Sequence, residues 1–176
     1  AGYGFEVYHD KRKDTVMSIL LLAMMVPFAA TLIPLFKLFT GLGLQSTWIA
    51  YILPTISTPF LIMLFRQSTR TFPREIIEAA RIDGLSEIKI FAKLYFPTMK
   101  STYAAAMTVT FMNAWNNYLW PKVIMMSADS QTMPMMVANL SAGYSIDYGV
   151  LMLGVLICSL PTGILFLILQ RSFTNG

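Results

Sequence analysis

The sequence has few charged residues and only one cysteine. Charged residues make up 12% of the chain and hydrophobic residues 56%, whereas soluble domains usually contain about 25% and about 45–50%. This composition favours a membrane protein. The single cysteine, Cys158, excludes an internal disulfide framework and a thiolate metal cluster, because both need several cysteines. We predict no metal site.

Sequence motifs of enzymes are also missing. The chain contains no G-x-x-x-x-G-K-[ST] phosphate-binding loop, no H-E-x-x-H zinc motif and no G-x-S-x-G nucleophile motif. We therefore predict that the chain is not an enzyme and binds no cofactor of its own.

Four apolar stretches are long enough to cross a membrane. A hydrocarbon core about 30 Å thick needs about 20 helical residues at a rise of about 1.5 Å per residue. Core helices of a large soluble protein are the alternative, but apolar runs of this length rarely occur there. The predicted fold class is all-α, a polytopic helical bundle in the membrane. The predicted spans are about 15–36, 48–65, 101–124 and 148–169.

Ionisable residues are nearly absent from these spans. Apart from Lys122, near the end of the third span, they contain no Asp, Glu, Lys, Arg or His. A carrier driven by protons or ions usually needs an ionisable residue at membrane depth. The pattern therefore disfavours such a carrier, while a channel or a membrane scaffold stays open.

The basic residues predict the orientation. In a four-span topology, every Lys and Arg except Lys37 and Lys122 falls on the side of the N-terminal segment. Cytoplasmic loops are enriched in Lys and Arg, so this side is predicted to be the cytoplasm. The basic residues follow the membrane edges rather than a groove with stacking aromatic side chains, which argues against nucleic-acid binding.

A polar segment, about 73–97, lies between the second and third spans. Pro73 suits the start of a helix, and Glu78 lies in its first turns, where negative charge suits the positive end of the helix dipole. After Asp83, Gly84 readily takes the left-handed conformation that ends a helix. The segment is predicted to form a helix, a turn and a second helix in the cytoplasm.

The second of these helices has its own start and stop signals. Ser86 can cap it, Ile88, Phe91 and Tyr95 recur at helical spacing, and Pro97 is predicted to end it.

Two small residues in the first helix suggest an interaction surface. Ala79 and Ala80 put little bulk on one surface, so the backbone of another protein could approach closely. From these features alone, an amphipathic connector resting on the lipid headgroups is an equally good interpretation.

The spacing of this segment is specific. Glu78-Ala79-Ala80 is followed by three residues, Gly84, nine residues and then an apolar pair that precedes Pro97. This spacing resembles the signature loop of permease subunits in bacterial ABC importers. The apolar pair is Leu94 and Phe96, where the family often has Ile and Leu.

The resemblance extends over essentially the whole chain. The segments AGYGFEVY, NAWNNYLWP and GVLICSLPTGILFLILQRSF are similar to the carbohydrate-uptake branch, the maltose-type and multiple-sugar-type permeases of the bacterial inner membrane. Such permeases typically have six spans, so residues 1–176 are predicted to be a fragment of the transmembrane domain.

The resemblance implies a permease subunit that moves sugars or oligosaccharides by alternating access. Its implied partners are a second related permease, two ATPase subunits that bind the ATP, an extracytoplasmic binding protein and the lipid bilayer. Glycerol-phosphate esters, amino acids and polyamines are alternative solutes in branches that share the loop. The loop would be the coupling helix that docks on the ATPase, and its motif residues are Glu78, Ala79, Ala80, Asp83, Gly84, Leu94 and Pro97.

Candidate substrate contacts lie in the third span. Asn113, Asn116 and Asn117 are three and four residues apart, so they are predicted to share one helical face. Amides in hydrocarbon are costly unless paired or facing water, and they both donate to and accept from hydroxyl groups. Trp115 could stack on a sugar ring. Hydrogen bonding between helices is the alternative role of the amides.

Overall fold

The computed structural model describes residues 1–8, 10–143 and 145–174, and every regular element in these residues is helical. The all-α prediction is confirmed. In chain order the α-helices are α1 (Gly2–Val7), α2 (Lys11–Met24), α3 (Phe28–Gly41), α4 (Trp48–Ile52), α5 (Pro59–Thr69), α6 (Arg74–Ile82), α7 (Glu87–Ile90), α8 (Phe96–Thr98), α9 (Lys100–Trp115), α10 (Leu119–Ile124), α11 (Met133–Leu140) and α12 (Tyr148–Thr174). Two 3₁₀ segments are Leu53–Thr55 and Ala128–Ser130, and the π-helical segment Phe91–Tyr95 lies between α7 and α8.

The helices form two compact units. Unit 1 contains Ala1–Met25, Thr58–Met107 and the end of the chain from Leu169, and unit 2 contains Val26–Ser57 and Thr108–Ile168.

Unit 1 has a core made largely by the polar segment between the second and third predicted spans. Tyr95 is 1% exposed, and its hydroxyl lies 2.7 Å from the Thr69 hydroxyl, so this polar atom is not buried without a partner. Tyr3 of α1 packs against the same cluster. The buried members are Phe72, Ile77, Ala80, Ile90, Tyr95 and Met99.

Unit 2 has a core centred on Trp120. The indole is 1% exposed, its Nε1 donates to the Ala50 carbonyl at 3.1 Å, and its ring meets that of Phe39 at 5.9 Å. Ile124 and Met125 are buried beside it. The indole therefore joins α10 to α3 and α4 through both apolar contact and a satisfied donor.

Within the residues that the structure describes, the fourth predicted span alone is one continuous helix long and apolar enough to cross a membrane. Up to three spans result there if each of two interrupted helix pairs is counted as one. The first span is interrupted between α2 and α3, the second between the Leu53–Thr55 segment and α5, and the third between α9 and α10. The count of four spans stays a prediction.

Proline accounts for two of these interruptions. Pro27 precedes the first residue of α3, and Pro59 begins α5 after Thr58, whose hydroxyl accepts from the Leu61 amide at 3.3 Å. A residue before proline is pushed out of the α conformation, and proline favours the first turn of a new helix. Pro54 and Pro59 in the sequence predict a kinked second span, whereas the break at Pro27 was not predicted.

We expect Trp120→Ala to lower the free energy of unfolding by about 3–5 kcal/mol, because it opens a large void and leaves the Ala50 carbonyl without its donor. Trp48→Ala is the matched control, since Trp48 is 61% exposed, and we expect it to cost about 1 kcal/mol or less. Denaturant unfolding in detergent micelles measures both. Equal losses would contradict the assignment of Trp120 to the core.

Candidate functional site

The polar segment folds into the predicted helix, turn and second helix. Helix α6 follows Pro73, and its last turn closes with two hydrogen bonds, from the Gly84 amide to the Arg81 carbonyl and from the Leu85 amide to the Ala80 carbonyl, both 3.0 Å. This pair of bonds is a Schellman motif. Gly84 has φ of +77°, the left-handed conformation that the motif requires.

Helix α6 has one buried face and one exposed face. Ile77 and Ala80 are 4% and 5% exposed and pack in the core of unit 1, whereas Glu78 and Ala79 are exposed. The prediction that Ala79 and Ala80 share one open surface is therefore wrong. Consecutive helical residues point in directions about 100° apart, and here the core occupies one of them.

The exposed surface of the helix-turn-helix combines acidic and apolar side chains. Glu78, Asp83 and Gly84 are exposed, and two isoleucines project from the same segment, with Ile82 87% and Ile88 80% exposed. Large apolar side chains this exposed beside carboxylates are typical of a surface that another protein covers.

The second helix differs from the prediction in two ways. Ile88 is exposed and Ile90 is fully buried, so Ile90 rather than Ile88 joins Tyr95 in the core. Pro97 does not end the helix, because helical structure continues to Thr98.

The helix continues past Pro97 because the preceding turn is π-helical. The Phe96 amide donates to the Phe91 carbonyl, five residues back. A π-turn opens the hydrogen-bond ladder before the proline, which itself has no amide to donate. Leu94 is half-buried against the core, and Pro97 is exposed.

An ionic cluster that the sequence reading missed joins α1 to this segment. Arg81 Nε lies 2.7 Å from Glu87 Oε1, and the Tyr8 hydroxyl donates to the other oxygen of Glu87. Hydrogen bonds from Arg81 first, and then from Tyr8, hold the pKa of the Glu87 carboxyl below its usual value. The pair is about 40% exposed, so its contribution to stability is small.

A second missed cluster surrounds Glu6. Its carboxylate lies 3.3 Å from Nε of Arg66, 3.3 Å from Nε of Arg70 and 3.4 Å from Nη2 of Arg74. Asp14 adds a bond of 2.6 Å to Arg66. In the sequence, Glu6 is a lone carboxylate in the aromatic segment AGYGFEVY, which does not by itself indicate its distant arginine partners.

In unit 2, the candidate amides do not share one helical face. Asn113 lies within α9, but the helix ends at Trp115 and Asn117 is outside it. The Asn116 side chain donates to the Met112 carbonyl at 2.9 Å, and Asn117 Oδ1 accepts from the Trp120 amide at 3.4 Å. The prediction of a shared face assumed an uninterrupted helix and is wrong for Asn117.

Trp115 has a defined partner. Its Nε1 donates to the Cys158 carbonyl of α12 at 2.8 Å, and its ring stacks on that of Phe111 with centroids 5.8 Å apart. This bond to the backbone of α12 supports a role for Trp115 in packing between helices.

A cavity of about 560 Å³ opens beside Asn116. The four candidate substrate contacts are Asn113, Trp115, Asn116 and Asn117, and of these four Asn116 alone lines the cavity. The lining, which is mostly apolar with scattered polar groups, comes from the α9–α10 connection, α11 and α12: Asn116, Tyr118, Pro134, Val137, Ala138, Ser141, Leu151, Val155, Cys158 and Ser159.

Metal binding has no support in the described part of the chain, which holds no group of three or more His, Cys, Asp or Glu residues placed to share an ion.

The fold matches that of a solved membrane transporter. The structure is similar to one chain in the crystal structure of a bacterial ABC transporter involved in the import of the acidic polysaccharide alginate. The TM-score is 0.84 and the sequence identity is 20%, and the alignment covers 98% of this chain and 66% of the transporter chain. Helices α1–α12 therefore have the fold of an ABC importer subunit.

The chain belongs to the family of binding-protein-dependent transport system inner membrane components, whose model matches residues 1–175. It is 47% identical over 176 residues to the lactose transport system permease protein LacG of Rhizobium radiobacter. This alignment covers 100% of this chain and 64% of LacG. It is 36% identical over 175 residues to the arabinooligosaccharides transport system permease protein AraQ of Bacillus subtilis (strain 168), covering 99% of this chain and 62% of AraQ. The chain thus spans slightly less than two thirds of these relatives, and the family predicted from the sequence is confirmed.

We expect Gly84→Val to destabilise the turn by about 1–2 kcal/mol, because a left-handed conformation brings Cβ close to the following carbonyl oxygen. A Cβ at this position meets no other atom within 4 Å, so the cost comes from the backbone alone. Gly84→Asn is the control, since asparagine tolerates this conformation. Thermal unfolding and the rate of trypsin cleavage at Arg81 compare the two, and equal behaviour of Val and Asn would contradict the argument.

Proposed function

We propose that the chain is part of the permease subunit of an ATP-driven importer that moves sugars or oligosaccharides across the bacterial inner membrane. The observation that carries this proposal is the identity of 47% with a lactose permease over all 176 residues, together with 36% to an arabinooligosaccharide permease. Transport of another solute, such as glycerol-phosphate, an amino acid or a polyamine, is not favoured by these relatives. Membership of a transport family also disfavours an uncoupled channel or scaffold.

The energy for transport would come from a separate ATPase. The chain has no phosphate-binding loop of its own, and the exposed surface around Glu78, Ile82, Asp83 and Ile88 has the mixture of charge and apolar area that a protein partner covers. We assign this surface to the cytoplasmic ATPase dimer. Glu78 offers a carboxylate to a basic residue there, and the Gly84 turn fixes the angle between the two helices.

The remaining partners follow from the same family. Its members are inner-membrane components of systems that depend on a binding protein, so a sugar-loaded extracytoplasmic binding protein would deliver the substrate. A second related permease would complete the path through the membrane. Alternating access would expose this path first to the outside and then to the cytoplasm, while the ATPase dimer closes and reopens.

Asn116 is our candidate for a substrate contact in the path. It lies beside the cavity, and its carbonyl oxygen can accept while its amide donates, as sugar hydroxyls require. We do not assign Asn113, Trp115 and Asn117 to the path, because none of the three lines this cavity.

We expect Glu78→Lys to abolish sugar-stimulated ATP hydrolysis in the reconstituted complex, or to prevent ATPase binding, because it places a positive charge against a basic partner. Glu75→Lys makes the same charge change one turn earlier in α6, at a side chain that is also exposed. This variant should retain at least about half of the sugar-stimulated hydrolysis. Co-purification of the ATPase and phosphate release distinguish the two variants. Normal stimulation with Glu78→Lys would refute the docking assignment.

We expect Asn116→Leu to raise the KM for sugar uptake about tenfold without loss of assembly. One hydrogen bond to an uncharged sugar contributes about 0.5–1.5 kcal/mol to its binding free energy, and leaving the sugar hydroxyl buried without a partner increases the loss. Asn113→Leu, which changes an exposed amide outside the cavity lining, is the control. Uptake kinetics in proteoliposomes measure both. Equal kinetics of wild type and Asn116→Leu would remove Asn116 from the path.

A further inference from the structure

Helix α1 lies unusually close to α5 within unit 1. A Cβ built on Gly2 would lie 2.5 Å from the Phe65 Cβ and 2.7 Å from the Arg66 amide nitrogen. Real side chains do not tolerate such distances, so only glycine fits here. The two helix backbones are therefore in direct contact, and α1 cannot shift against α5 without losing this fit.

The carboxylate of Glu6 extends this contact toward the coupling segment. Its side chain is 11% exposed, and its two oxygens contact three arginines at successive places in the chain: Arg66 within α5, Arg70 just after α5 and Arg74 at the first position of α6. One buried acidic group thus joins α1, the end of α5 and the start of α6. The three-residue connection from 71 to 73 lies between these bonded points.

Aromatic contacts join α1 to the second helix of the segment as well. The Tyr3 ring meets those of Phe91 and Tyr95 with centroids 5.2 Å and 4.5 Å apart, and the Tyr8 hydroxyl donates to Glu87. Helix α1 therefore contacts both arms of the helix-turn-helix.

We propose that Glu6 is a positioning residue for energy coupling, which fixes the coupling segment to α5 so that both move as one body. This inference rests on the proposed function of the segment. A displacement of α6 imposed by the ATPase is passed to α5 through Glu6 and its arginines, rather than being absorbed by rotation in the 71–73 connection. Without the carboxylate, Arg70 and Arg74 lose their shared partner while Arg66 keeps Asp14. The start of α6 then loses its ionic link to α5, and the 71–73 connection is held less firmly.

The test uses the full reconstituted transporter and the ratio of sugar-stimulated to basal ATP hydrolysis. We expect Glu6→Gln to lower this ratio, and sugar uptake with it, about fivefold to tenfold, while basal hydrolysis and co-purification of the ATPase are retained. Glu6→Asp keeps the charge and should restore much of the ratio. Amide hydrogen exchange of Thr71, Phe72 and Arg74 should rise in Glu6→Gln and return toward wild type in Glu6→Asp. An unchanged ratio in Glu6→Gln overturns the proposal.

A second variant covers the case in which Glu6→Gln does not assemble. Arg74→Gln removes only the bond from Glu6 to the start of α6 and leaves the Arg66 pair intact, and the Arg74 side chain is 66% exposed, so the fold should tolerate it. A lower ratio in an assembled Arg74→Gln complex supports the proposal, and an unchanged ratio overturns it. Glu75→Gln, an exposed neighbour, is the control and should match wild type.

The two proposals fail in different ways. If Glu78→Lys leaves stimulation normal, the segment is not the ATPase contact and the proposed function of the segment fails. If Glu78→Lys uncouples while Glu6→Gln and Arg74→Gln both behave as wild type, the docking assignment holds and only the positioning role of Glu6 is lost.

Discussion

Unit 1 depends on a positive charge held away from water. Arg66 is 9% exposed, and a guanidinium group does not release its proton in a protein, so it must be paired where it lies. Glu6 supplies one partner and Asp14 the other, from α1 and α2 respectively. Because a buried charge left alone costs several kcal/mol, the positions of α1, α2 and α5 are tied together by this one requirement.

The polar segment 73–97 packs the residues that hold its shape on one face and exposes, on the other face, the residues that we propose contact a partner. Ile77 and Ala80 of α6 pack with Ile90 and Tyr95 of the second helix, and the Schellman bonds at Gly84 fix the angle between the helices. The opposite face takes no part in this packing. Its side chains are therefore free to serve recognition, since substitution there leaves the core contacts unchanged.

The sequence predicted those features that short stretches of chain determine. The turn at Gly84 depends on one backbone conformation, and the start of α6 depends on Pro73, so both were found. Features set by residues elsewhere in the chain were not predicted. Glu6 bonds arginines 60 or more positions away, and Ile90 rather than Ile88 is buried because it packs in the cluster with Phe72 and Ile77. Apolar length sets the bounds of the predicted spans, whereas the interruptions before α3 and α5 depend on the positions of Pro27 and Pro59.

The chemistry of the cavity in unit 2 bears on which solutes the path suits. Among the described residues that line it, none has a charged side chain; the polar groups are the Asn116 amide and the hydroxyls of Tyr118, Ser141 and Ser159. A phosphate ester carries up to two negative charges and needs arginine, lysine or several amide donors to replace its water. A neutral sugar needs only groups that donate and accept in turn, with apolar surface against its ring faces. The described lining is compatible with the neutral sugar that we propose as the substrate.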